Sequence, residues 1–423
     1  MLLTLVFVYL LVTIAIGLMA AKRVKSSADF AIAGRHLPLV MIITTTFATW
    51  FGSETVLGIP AKFVNSGLSG VVEDPFGAGT CLILVGMFFA TKLYKMNLLT
   101  ISDYYRERYG RVVEVMCSVM IMISYLGWVS AQVTALGLVF NVLSGGAISI
   151  PIGMVIGVVS ILAYTLFGGM WSVAVTDFIQ MIILVGGLSV LAVFAADQAG
   201  GADKVVALAI DRDMFAFVPM FLVVSAMLIM PEQAATLIAD DPQKVLPTLV
   251  MTQMPFVMQV LFFGALLSAI KSCASATLLA PSVTFTENIW RQFRPHQSDQ
   301  QELRAMRVTV LVFSMVVLGY AIRMQGTSIY EMVSGAYQVP LVGAFVPLTF
   351  GLYWKRATTQ GAIFALVFGL LTWGLFLVTP AGEEFPAQLA GVLASLTGML
   401  VGSLGPQAIR NTHSSHHKLM GAA

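Results

Sequence analysis

A carboxylate set inside an apolar run constrains this chain more than any other feature. Long apolar runs recur from Leu2 to Leu404, and the second breaks at Trp50–Glu54 with Trp-Phe-Gly-Ser-Glu. Such a break frees backbone N–H and C=O groups in a medium without water. A neighbouring helix, ordered water, an ion or a ligand must then satisfy them. Only 10% of the residues are charged, against roughly 25% in a soluble domain, and mean hydropathy is +0.89. The chain therefore reads as an all-α polytopic membrane protein. Nothing in it resembles a soluble domain, a nucleotide loop or a nucleic-acid surface, and the net charge of +2 says little about partners. Cys81, Cys117 and Cys273 lie in apolar runs without pairing or metal-ligand spacing and read as core- or lipid-facing thiols. With no nucleophile–base pair or metal cluster in the sequence, an enzyme is not expected.

The candidate spans are Leu2–Ala21, Pro38–Ile59, Phe76–Ala90, Val112–Val142, Ile148–Phe167, Asp177–Ala195, Met214–Met230, Leu249–Thr286, Met306–Arg323, Ile329–Trp354, Ala362–Val378 and Pro386–Leu404. They predict one transmembrane domain over residues 1–404 and a short cytoplasmic tail over 405–423, whose His413, His416 and His417 read as incidental rather than metal-binding. The first run has no basic leader or small-residue cleavage site and is expected to be a retained helix. Lys22, Arg23, Lys25 and Arg35 place the first loop in the cytoplasm and the N-terminus outside. The next basic loop, Lys92–Arg111, falls two spans later, as alternation requires. Further on, alternation fails. Asp197–Asp213 and Glu232–Lys244 are both acidic and read as external, yet only Met214–Met230 separates them. A helix is missing near Asp213–Phe215 on this reading. The other repair, splitting Leu249–Thr286 at Lys271, leaves a half of about 13 residues where a crossing needs about 20.

Three segments carry chemistry. In Phe47–Gly58, Gly52 and Gly58 ease departure from helical geometry, so carbonyls near Ala48 and Phe51 could face a small hard cation such as sodium. A plain kinked helix with small packing residues is the alternative. In Ser268–Ser275, Ser272 could complete an oxygen cage or simply bond back to its own helix. Lys271, in the same segment, is an ammonium at mid-membrane and needs a carboxylate, carbonyls or water. Phe167–Gln180 is a glycine-rich turn leading into a helix, where Asp177 could cap the helix or gate a pathway.

Taken together and in this order, Asp29-Phe-Ala-Ile-Ala-Gly-Arg35, Ala48–Gly52, Leu99-Thr-Ile-Ser-Asp103, Gly168-Gly-Met-Trp-Ser-Val-Ala-Val-Thr-Asp177, Leu246-Pro-Thr and Ala265–Ser275 resemble the sodium:solute symporter family, from about Ala28 to Thr358. The resemblance implies inverted five-helix repeats of the leucine-transporter type, with about twelve transmembrane helices here where the family has thirteen. The absent one corresponds to the broken sixth helix of the family core. The resemblance also implies a sodium site built from the carbonyls of Ala48, Phe51 and Ala269, the Ser272 hydroxyl and the Cys273 side chain, with sodium as coupling ion and no cofactor. Asp177 matches the aspartate thought to help sodium leave inward.

Two positions depart from the family pattern. Cys273 stands where Ser or Thr is common, and sulfur is a poor sodium ligand. Lys271 stands where the family is apolar. Its ammonium could mimic the ion or face elsewhere, since adjacent helical residues point about 100° apart. Trp50, Gly52 and Ser53 with mid-span Gln132, Tyr337 and Gln338 are the candidate solute contacts. Trp50 could hold a quaternary ammonium or supply bulk, and the last three could equally bond between helices. The expected function is sodium-coupled import, by alternating access, of a small organic solute, an amino acid such as proline or an amine such as choline. The expected setting is a lipid bilayer, best fitted by a bacterial inner membrane. The alternative is a non-transporting or degenerate relative that lacks a core helix.

Overall fold

A computed structural model describes residues 1–211, 218–295 and 297–409, and the described residues are helical throughout, without strands. The expected gap near Asp213–Phe215 and the three tail histidines lie outside the described residues. Eight helices among these are long and apolar enough to cross a membrane, or up to ten when two bent pairs each count as one span. The shortfall from twelve has two sources. Ile148–Phe167 and Asp177–Ala195 fall in one helical run, Ile150–Gln198, and Met214–Met230 is described as a helix only over Val218–Ile229. A 49-residue run extends about 74 Å at 1.5 Å per residue, more than twice the hydrocarbon thickness.

The chain divides into two compact units, residues 1–81, 128–279 and 310–333 in the first and 82–127, 280–309 and 334–423 in the second. In the first, α1 (Leu2–Ala21) lies along α2 (Ile150–Gln198). Gly17 permits the approach, because a Cβ there would come within 2.6 Å of Tyr164 Cβ. The Ser172 hydroxyl donates to the Gly17 carbonyl beside it. The glycine-rich turn expected near Phe167 is instead a kink at one residue, Gly169, with φ of 47°. Only glycine takes that conformation readily, and a Cβ there would also strike the Phe30 carbonyl at 2.3 Å. Helix continues on both sides of the kink, so Asp177 sits inside a helix rather than at its start. Leu249 also begins no long span. A short helix ends at Gln253, Met254 is extended before Pro255, and α3 (Phe256–Thr284) starts afresh.

In the second unit, α4 (Thr359–Val378) and α5 (Ala387–Leu404) pack through glycines. A Cβ on Gly402 would lie 2.7 Å from Gly361 Cα, and one on Gly398 would lie 2.6 Å from the Phe364 carbonyl. Close backbone approach of this kind is how helices associate where lipid and protein are equally apolar. The short helix Ile101–Tyr109 is fastened to carbonyls at the end of Phe345–Tyr353 and just beyond it. Arg108 donates to the carbonyls of Gly351 (3.1 Å) and Ala357 (2.9 Å), while Tyr109 reaches Pro347 O at 2.7 Å. A cation over the last carbonyls of a helix satisfies groups that have no intrahelical donor.

Candidate functional site

The Leu39–Trp50 helix stops where the sequence breaks. Phe51 N–H still donates to Phe47 O at 2.8 Å, but Ser53 N–H turns aside to Gln132 Oε1 at 2.8 Å. The chain resumes as a wide helical turn, Glu54–Gly58, and an α-helix, Ile59–Ser66. Thr49 O thereby loses its helical donor, which is the condition for a backbone oxygen to serve an ion. Gln132 Nε2 then donates to Glu54 Oε2 at 2.7 Å, so one amide joins the break to its carboxylate. Trp50 packs edge-to-face on Trp128, with ring centroids 5.4 Å apart.

α3 closes on the same break. The position of a Cβ on Gly52 lies 2.9 Å from Cys273 Sγ and 2.9 Å from Gln132 Oε1, so no larger residue fits there without displacement. Ser272, one residue earlier, donates from its hydroxyl to Asp177 Oδ1, and Asp177 Oδ2 is buried without a hydrogen bond. The structure thus joins a proposed sodium ligand to a proposed gate. Ala48, Ala269, Ser272 and Cys273 are all buried, and Phe51 is half-buried.

Lys271 faces another way. It is fully buried, and its Nζ donates to Thr13 Oγ1 of α1 at 2.7 Å, with the Tyr164 ring centroid 5.5 Å away. The Thr13 hydroxyl in turn donates a hydrogen bond to Leu10 O at 2.9 Å. On the same face of α3, Ser268 hydrogen-bonds the Tyr9 hydroxyl. Lys271 therefore belongs to an interface with α1. Tyr337 and Gln338 lie in the second unit, where Gln338 Oε1 accepts from Trp373 Nε1 at 3.0 Å.

Two cavities lie in the first unit, the smaller beside the break. One, of about 160 Å³, is apolar and lined by Phe47, Phe51, Val56, Leu184, Leu188 and Leu222 among others. The other, of about 650 Å³, is lined by Lys62, Asn65, Asp240, Asp241, Lys244 and Glu331 among others.

Sequence reasoning brought Trp50, Gly52, Ser53, Gln132, Ser272, Cys273 and Asp177 into view, and the first unit gathers them. It gave Glu54 no place among the solute contacts, and it overlooked Trp128 and Thr13. Trp128 stands one helical turn before Gln132, so the i, i+4 spacing was the available signal. Thr13 carried none.

A broken apolar helix with buried polar groups gathered at the break defines a polytopic membrane transporter with a discontinuous-helix site. The chain belongs to the sodium:solute symporter family, whose profile matches residues 30–214 and 213–369. This is a family of transporters, not enzymes. The chain is 25% identical over 456 residues to the high-affinity proline transporter PutP of Bacillus subtilis (strain 168), covering 93% of this chain and 96% of that protein. It is 24% identical to the high affinity choline transporter 1 of Homo sapiens, covering 90% of this chain and 76% of that one. To the sodium/pantothenate symporter of Escherichia coli (strain K12) it is also 24% identical, covering 95% and 96%. Its fold matches a solved Na+-coupled sialic acid symporter in a substrate-bound outward-open state. The TM-score is 0.78 at 19% identity, covering 97% of this chain and 99% of that one. The leucine-transporter-like, all-helical class expected from sequence is the class observed.

Proposed function

We propose that this chain is a sodium-coupled secondary active symporter that imports a small organic solute by alternating access. The observation that carries the reading is the meeting of the broken helix with Ser272, Cys273 and Asp177. The Ser272 hydroxyl, a carboxylate oxygen without a hydrogen bond and a break that strands the Thr49 carbonyl occur together in this unit, and oxygen ligands of this kind replace the water shell of a small hard cation. Sodium would be held by the carbonyls of Ala48, Phe51 and Ala269 with the Ser272 hydroxyl. Cys273 contributes shape rather than a bond, and Asp177 competes for Ser272 and so helps the ion leave. Trp50, Gly52, Ser53 and Gln132 would line the solute site. The protein would sit in a bacterial inner membrane with its N-terminus outside.

The chain also lacks one family helix near Asp213–Phe215, on our reading. Two family matches that meet at residues 213–214 support this, as do alignments longer than the 423-residue chain itself.

The test is thermal unfolding of the purified protein in sodium against potassium at equal ionic strength, followed by uptake into proteoliposomes with and without a sodium gradient. A sodium-specific rise in Tm with gradient-dependent uptake is expected. Equal Tm in both salts and no gradient-driven flux would reject the reading.

A further inference from the structure

The half-helix that begins at Ser53 turns its first amides toward the break. In discontinuous-helix transporters such an end receives an anionic group of the solute. Here the chain fills that end itself. Ser53 N–H is bonded to Gln132 Oε1, and the Glu54 carboxylate lies against Gly52. A Cβ on Gly52 would lie 2.6 Å from Glu54 Oε2, so the carboxylate stands directly over the break. Glu54 is 2% exposed, and its hydrogen-bonded side-chain partner is the neutral amide of Gln132. Among the described residues it forms no ion pair within 4 Å. The buried cation of this unit, Lys271, is committed to Thr13. Ser53 Oγ, also buried, has no partner. The 650 Å³ cavity opens along the same half-helix, with Lys62 about 12 Å beyond Glu54 at 1.5 Å per residue. Its three carboxylates, Asp240, Asp241 and Glu331, outnumber its two ammonium groups, each of which is already paired.

We propose that the solute is a monovalent organic cation without a carboxylate, and that Glu54 is its counter-ion. The proposal rests on the symporter reading for the location of the site. A solute carboxylate would meet negative charge at the helix end where it needs donors. A substituted ammonium instead replaces Gln132 Nε2 as the partner of Glu54, and its apolar arms lie against the Trp50–Trp128 pair, where cation–π attraction adds to burial.

Thermal unfolding of the purified chain tests this directly, with tetramethylammonium, choline, proline and sialate added separately at equal ionic strength. The two cations should raise Tm while proline and sialate leave it unchanged, and Glu54→Gln should weaken the apparent affinity for the cations at least tenfold. Three results would overturn the proposal: stabilisation by proline or sialate, no stabilisation by either cation, or cation affinity unchanged in Glu54→Gln. Should that variant not fold, the selectivity of the native chain decides alone. A parallel sodium titration of native protein and Ser272→Ala reports on the symporter reading independently, so the cation proposal can fail while the sodium site stands.

Discussion

Both units bury charged and polar groups, but they finish them differently. In the second unit Asn288 donates to Asp103 Oδ1 and to Glu114 Oε1, each at 2.9 Å, and accepts from the Thr100 hydroxyl at 2.7 Å. Arg106 bridges the same two carboxylates at 3.0 and 3.1 Å. In the first unit the carboxylates of Glu54 and Asp177 have neutral hydrogen-bond partners and, among the described residues, no ion pair within 4 Å, whereas Glu114, whose Oε2 also lacks a hydrogen bond, is paired with Arg106. Buried carboxylates met by a cation and an amide are compensated and rigidify a structure. A buried carboxylate without a cation costs stability and can be completed by a charged ligand. On the proposed reading, the contrast separates what holds this protein together from what it works with.

Arg108→Met should give the largest loss of stability. It strips donors from the carbonyls of Gly351 and Ala357 in a site that is almost fully buried, and each stranded carbonyl carries a desolvation cost. A loss of about 3 kcal/mol is expected from hydrogen bonds to a charged group, read as a lowered Tm in both sodium and potassium. Asn288→Leu should follow at about 2 kcal/mol, because Asp103 and Glu114 keep Arg106 but lose an amide donor. Neither change should alter the difference between sodium and potassium. A selective loss of the sodium response in Asn288→Leu would break the comparison, since the second unit would then be part of the working site.

Ser272→Ala should do the reverse. Its cost in stability should be about 2 kcal/mol, because the buried Asp177 carboxylate loses the Ser272 hydroxyl donor, while the sodium-specific rise in Tm disappears. Retention of that rise in a folded variant would remove Ser272 from the ion site.

The sequence makes some of this plain. Apolar runs of bilayer length announce the spans, and Gly52, Ser53 and Glu54 announce the break, because each signal is local. The partnerships at the break are not local. Gln132 lies 78 residues from Glu54, and Ser272 lies 95 from Asp177. Each residue reads alone as an ordinary packing or capping group until the fold brings its partner. Gly169 misled for a related reason: adjacent glycines suggest a turn, yet packing against Phe30 needs only one residue out of helical geometry.

Lys271 offers the smallest effect and the sharpest use of the contrast. Position along the helix could not say which way its ammonium points, since one residue rotates the direction by about 100°. In the fold Ser272 turns to Asp177, Cys273 to Gly52, and Lys271 to Thr13 on α1. An amine held by one hydroxyl and an aromatic face is incompletely solvated, so replacing it with a flexible apolar chain of similar length removes a desolvation cost along with one hydrogen bond. Lys271→Met should therefore leave Tm unchanged or raise it, by about 1 kcal/mol at most. The sodium response should not move, because the ammonium lies on the α1 side of α3 rather than at the break. If Lys271→Met instead increased the stabilisation by sodium, the amine would be competing with the ion. The polar face toward α1 would then have to be counted with the working site rather than with the scaffold.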